Sequence, residues 1–559
     1  MAMTSALFPS QSLFMHITNQ RSSQVSCGSS NKWAVEEHDL LRSTSSYNKD
    51  GFNSTKFAGL VKDVKYSLMT ERNTNNLVLV DTLQRMGIEY HFQEEIESIL
   101  HKEYDQSACF LKYQTPFDVS LCFKLLRQEG YHVSADVFKK FKNSDDSLRQ
   151  DISGLIGLYE AAQLGVEGEH ILDEVAKFSS DHLNACLAHS DSCDQATIIK
   201  ETLKYPYHKS LASYKAKSFI NNFKGINGCG RTTLQELANI HYSIKREIHQ
   251  HELIQISRWW KSLGLAEDLK LLRDQPLKWY AWPMAMITDP IISQQRIEIA
   301  KCFSFIYVID DIFDIYGTVE ELALFTQAIN RWELDVMVDL PEYMRPPFRA
   351  FYDTINSIGY NIYKIYGQNP TQNLRNAWKN LCNAFLKEAK WFASGELPTT
   401  HEYLKNGVVS SGVHVILTHM FFSLGFGLTN QNSMNLEDTS DMASSVATIF
   451  RLWNDIGSAK DENQEGNDGS YLECYLKEQK DGSMELAREY VVKLIENEWK
   501  KLNKESLHLM SQPNLRSFSK FSLNFARMIP LMYDYDDNQS LPILQGYIKS
   551  LLYDDLSSE

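Results

Sequence analysis

The stretch LVLVDTLQRMGIEYHFQEEIESIL, residues 77–100, sets apolar side chains at three- and four-residue intervals, the spacing that lines one face of an α-helix. ISGLIGLYEAAQLG, residues 152–165, repeats the pattern, and from about residue 55 onward it hardly lapses. Strand-like alternation bounded by turn pairs is hard to find. Turn-rich breaks stand at NSDDS (143–147), HSDSCDQ (189–195), KGINGCGRTT (224–233) and NDGS (467–470). No signature recurs at a period of about 20–50 residues, which argues against a solenoid. With the glycine-rich break near 225–232 as the best boundary, the sequence predicts an all-α protein of two helical domains, residues 51–235 and 245–559.

Bulk properties narrow the function classes. A length of 559 residues is ample for two cores, and a formal charge of −15 with no clustered Lys and Arg argues against a nucleic-acid binder. The nine cysteines include no CxxC pair, and the closest spacing, Cys186 to Cys193, suits neither a zinc site nor a disulfide framework. No run of about 18 apolar residues appears, so no membrane span is expected. Residues 1–35 contain no Asp or Glu and eight Ser, with Arg21 and Lys32 as the strong bases. Residues 1–50 are therefore read either as a disordered leader or as a short transit peptide, and the compartment as plastid or cytoplasm in equal measure.

The chemistry concentrates in VIDDIFDIYG, residues 308–317. On a helix Asp310 and Asp314 share a face, and Asp311 lies about 100° round from Asp310. Two carboxylates about 4 Å apart repel by roughly 4 kcal/mol at an effective dielectric near 20, so in such apolar company protons or cations must relieve them. A solvated acidic patch would carry the same letters. A second stripe strengthens the cation reading: in RLWNDIGSAKDENQEG, residues 451–466, Asn454, Ser458 and Glu462 fall at i, i+4 and i+8. Carboxylate, amide and hydroxyl oxygens are the ligands Mg²⁺ prefers, and Mg²⁺ commonly bridges to phosphates. A solvent-facing helix end would also fit that stripe. Arg273 and Arg451 are candidate helpers for a diphosphate, or else surface ion-pair residues. Trp279, Tyr280 and Trp282 could face a carbocation through their rings, or simply fill the core.

DDIFD, NDIGSAKDE, LYEAAQLGVEGEHILDEVAKF (158–178) and LKEAKWF (386–392), in this order, resemble a plant class I terpene synthase from about residue 55 to the C-terminus. The resemblance implies an N-terminal α-barrel-like domain and a C-terminal helical bundle. It implies three Mg²⁺ ions, with Mn²⁺ as substitute, held by Asp310, Asp311, Asp314, Asn454, Ser458 and Glu462, Asp311 acting from behind the others. Arg273 and Arg451 become diphosphate contacts and Trp282 a pocket aromatic, with Asp310, Asp314 and Arg451 carrying the ionisation. GVVSSGVHV (407–415) matches a kinked helix facing the cations. The implied partners are geranyl and farnesyl diphosphate, and the enzyme is expected to act as a monomer.

Departures from the pattern refine the expectation. No Arg-Arg pair occurs, although Trp33 is present, and the RxR position reads Arg273-Asp274-Gln275. Both losses resemble the subgroup that releases acyclic tertiary alcohols, linalool or nerolidol, with myrcene or ocimene-type alkenes the alternative. A chain-elongating prenyltransferase would carry a second DDxxD where this chain has NDIGSAKDE, and a non-catalytic helical scaffold is the remaining rival. DYDD at Asp534–Asp537 matches the DxDD of protonating cyclases but stands in the wrong half of the chain; Tyr533 and Asp534 are instead expected in a loop over the pocket.

Overall fold

The computed structural model describes residues 50–70, 74–105, 112–141, 151–188, 193–223, 230–428, 435–461, 469–479, 482–536 and 540–554. Among the described residues every regular element is a helix, as the periodicity predicts. The leader, Trp33 and the NSDDS break lie outside them. HSDSCDQ is shorter than expected as a break, because a helix, Cys193–Lys204, begins inside it.

By contact the chain divides into two units. One comprises His249–Trp499 and Ile529–Gln545, and the other the rest of the described chain, including Lys500–Met528. In the second unit Pro116–Gln128 packs against Thr74–Arg85 and Ile152–Ala162, and the latter against His170–Ala188. Thr115 caps Pro116–Gln128 by accepting the Asp118 N–H at 3.1 Å, with Pro116 at the first position, where its missing N–H costs nothing. Two acidic residues of LYEAAQLGVEGEHILDEVAKF, Glu160 and Glu169, are structural here. Glu160 accepts the Tyr207 backbone N–H, at 2.8 Å to one oxygen and 3.1 Å to the other. Glu169 forks onto buried Arg127, which also donates to the Val133 and Leu164 carbonyls.

In the first unit, Ser293–Asp311 packs between Pro276–Met286 and Val413–Ser423, and Ser440–Asp461 packs against Thr400–Ser410 and Val413–Ser423. Thr399 starts Thr400–Ser410 with a reciprocal capping box to Glu402. The expected kink in GVVSSGVHV falls at Ser411 and Gly412. Gly412 has φ +71°, and a Cβ on it would meet Ile306 Cδ1 at 3.0 Å, so only glycine lets the two helices approach there.

Candidate active site

The aspartate helix, Ser293–Asp311, is buried along almost its whole length from Arg296 onward, so it lines the core and offers no solvated face. Asp310 and Asp311 occupy its last turn, both fully buried. The helix then widens: Ile312–Tyr316 form a π turn closed by the Gly317 N–H on the Ile312 carbonyl at 3.0 Å. Asp314 is carried on that turn, half-buried, and so does not continue the α-helical phase of Asp310 that the spacing predicts. Such turns recur at functional sites.

Arg273 partly relieves the two buried aspartates. Its Nη2 donates to Asp310 Oδ2 at 2.5 Å, its Nε pairs with Asp311 Oδ1 at 2.6 Å, and its backbone N–H donates to Asp311 Oδ2 at 2.9 Å. Burial nevertheless drives both carboxyls above their ordinary range, against the pull of the guanidinium. Asp310 Oδ1 is buried and accepts no hydrogen bond among the described residues. Gln275 stands where the pattern's second arginine would be and is buried, while Asp274 between the two accepts the indole N–H of Trp260 at 2.8 Å.

Arg451 is buried on the other side. It donates to Glu388 Oε1 at 2.9 Å, to Ser410 Oγ, to the Gly407 carbonyl at 3.4 Å and to the Tyr403 hydroxyl at 3.4 Å. A Cβ on Gly407 would come within 2.7 Å of Arg451 Nε, so the glycine makes room for the guanidinium. Glu388 Oε1 also accepts Ser410 Oγ at 2.6 Å and Asn406 Nδ2 at 3.1 Å, while its Oε2 is buried without a partner among the described residues. Asp310 lies within the field of Glu388, and the buried hydroxyl of Tyr533 lies within the fields of both Arg451 and Asp310, so the two sides converge.

Other predicted site residues fare differently. Asn454 is buried on Ser440–Asp461; the Ser458 side chain and all of Glu462 lie outside the described residues. Trp282 has no accessible surface and stacks on Phe303 (5.3 Å between centroids) and Phe450 (5.7 Å), tying three helices together. Trp279 packs edge-on against Trp260, and the Tyr280 hydroxyl donates to buried Glu252 at 2.6 Å, so these two are core residues. Asp536 accepts from the Ser540 N–H at 2.8 Å and Oγ at 2.7 Å, closing a turn; Asp537 lies outside the described residues. Glu388 is the residue sequence reasoning left without a role.

The donor set fits a hard divalent cation in chemistry. Asp310 offers an unpartnered carboxylate oxygen, and Asp314 and Asn454 are oxygen donors. No three His, Cys, Asp or Glu side chains converge as a ready cage among the described residues.

The model of the terpene synthase N-terminal domain matches residues 16–204, and that of the terpene synthase metal binding domain matches residues 261–501. A tricyclene synthase of Antirrhinum majus, named as chloroplastic, is 46% identical over 86% of this chain and 83% of its own length. An (E)-nerolidol synthase of Cannabis sativa is 47% identical over 85% of this chain and 88% of its own. The crystal structure of grey poplar isoprene synthase, in complex with three Mg²⁺ ions and dimethylallyl-S-thiolodiphosphate, superposes with a TM-score of 0.83 at 32% identity, covering 90% of this chain and 97% of that one. With both halves matched and relatives of this identity along most of its length, the chain belongs to the terpene synthase family.

Proposed function

We propose that the protein ionises a prenyl diphosphate and releases an acyclic tertiary alcohol, linalool from geranyl diphosphate and (E)-nerolidol from farnesyl diphosphate. The observation that carries the reading is the under-neutralised pair Asp310 and Asp311, two buried carboxylates sharing Arg273, with Asp310 Oδ1 open. Asp310 and Asp314, with Asn454, Ser458 and Glu462 opposite, would hold Mg²⁺, and Mn²⁺ in its place. When bound, that metal supplies Lewis-acid neutralisation of the departing diphosphate. Asp311 acts from behind, by holding Arg273. Arg273 and Arg451 add positive charge where the anion forms. Trp282 stacks on Phe303 and Phe450 with almost no accessible surface on any of the three, so they supply a dry apolar interior rather than an open ring face. Water then bonds through oxygen to the tertiary carbon and loses a proton.

The acyclic product is supported by the (E)-nerolidol synthase relative and by the absence of Arg-Arg and of a second arginine after Arg273. The tricyclene synthase relative favours a second reading, ring closure before termination. Chiral gas chromatography with each diphosphate in Mg²⁺ decides: tertiary alcohols are expected, a dominant cyclic product selects the second reading, and longer diphosphates formed with isopentenyl diphosphate overturn both. Relatives named as chloroplastic, together with the acid-free residues 1–35, favour a plastid over the cytoplasm, tested by imaging a fluorescent fusion of the full chain. A monomer is the proposed state.

A further inference from the structure

The NDIGS turn holds a second carboxylate that the metal-facing stripe does not use. Asp455 lies about 100° round the helix from Asn454 and is buried. Its Oδ1 accepts the Tyr403 hydroxyl at 3.1 Å, and its Oδ2 accepts the Tyr471 backbone N–H at 3.0 Å, which ties this turn to the start of Tyr471–Glu478. With its proton given to Asp455, the Tyr403 oxygen presents a lone pair to Arg451 Nη1, 3.4 Å away. The Tyr403 ring also lies 5.4 Å from the Arg451 guanidinium carbon, in the range of cation–π attraction. Glu388, Ser410 and the Gly407 carbonyl hold the Nη2 and Nε edges, so Tyr403 is what fixes the Nη1 edge.

We infer that Tyr403 and Asp455 are positioning residues for diphosphate departure: Asp455 sets the direction of the Tyr403 hydroxyl, and Tyr403 aims Arg451. Neither touches substrate. The inference rests on the proposal that Arg451 meets the diphosphate.

The test is steady-state kinetics in Mg²⁺ with geranyl and farnesyl diphosphate, and inhibition by inorganic pyrophosphate, on Tyr403→Phe, Asp455→Asn, Arg451→Ala and the double variant Tyr403→Phe/Arg451→Ala. Loss of one hydrogen bond to a charged group predicts about a tenfold fall in kcat/KM for Tyr403→Phe. Pyrophosphate inhibition should weaken by about the same factor. In the Arg451→Ala background Tyr403→Phe should add nothing, because the residue acts through the arginine. A purely structural tyrosine would instead cost the same in both backgrounds and leave pyrophosphate inhibition unchanged, and either result overturns the inference. Asp455→Asn keeps an acceptor for only one of the Tyr403 hydroxyl and the Tyr471 N–H and should fall short of wild type in the same two readouts; if it does not fold, the tyrosine cycle alone decides. A wild-type enzyme that makes no terpene from either diphosphate overturns the functional reading and this inference with it, whereas an active wild type with additive losses overturns the inference alone.

Discussion

Two buried ion clusters, one in each unit, invite comparison. In the N-terminal unit Asp81 accepts Arg85 Nε at 2.8 Å through one oxygen and Lys124 Nζ through the other. Burial alone would raise its pKa, but the two cations hold it down at about 2, and Glu160 balances the remaining charge. In the C-terminal unit two aspartates share one arginine and are driven upward instead. The first cluster is electrically closed and needs nothing more. The second is one positive charge short, in a place too dry for solvent to make up the difference. The first cluster also keeps some exposure, 15% for the Asp81 side chain against 0–1% for Asp310 and Asp311, so charge count and burial together distinguish a structural cluster from one that awaits a cation.

That contrast is open to breakage. Asp310→Asn removes the surplus charge and the open oxygen, so turnover should fall by at least about a thousandfold, the scale of losing a key electrostatic contact, while the melting temperature in EDTA holds or rises. A large loss of stability there would place Asp310 in the structural class. Asp81→Asn should behave inversely, costing about 3–5 kcal/mol in chemical denaturation because Lys124 is left buried and unpaired, with kcat per folded molecule unchanged. Saturating Mg²⁺ with pyrophosphate should raise wild-type stability by about 3 kcal/mol at a hundredfold excess over Kd. Asp81→Asn should keep that increment and Asp310→Asn lose it; equal increments would erase the distinction.

A smaller effect separates charge bookkeeping from burial itself. His208 is held down to about 3 by burial and the Arg527 charge, and His419 to about 4 by burial, its Nδ1–H given to the Val415 carbonyl at 2.9 Å. Below the ordinary histidine range the unfolded chain binds protons that the folded one refuses, so stability is full above about pH 6.5 and falls toward the folded-state values. From pH 7 to 5 each should cost roughly 2 kcal/mol, and His419→Gln should flatten its share of the slope in denaturant titrations with or without Mg²⁺.

Much of this was legible in the letters. The 3.6-residue period announced the helices, and Asp310 among apolar neighbours announced a neutralised carboxylate. Glu388 was legible too, because Leu381, Phe385 and Glu388 fall at i, i+4 and i+7, which sets a carboxylate on a buried stripe. What periodicity could not report was destination. Trp279 and Tyr280 share the composition of a pocket wall, yet their partners are Trp260 and Glu252, on the long helix Arg231–Leu263 that precedes them. Asp274 reads as an unconstrained spacer until the Trp260 indole appears beside it. Such pairings are tertiary facts, and no local pattern encodes them.

The π turn at Ile312–Tyr316 is equally silent in composition, since it differs from an α turn only by holding one more residue. The aim of Asp314 is therefore a matter of chain length as much as of chemistry. Excision of Ile315, whose side chain is 40% exposed, would leave DDIFD spelled as before while taking in the slack beneath its last letter. A chain can thus keep the whole word and still lose its grip.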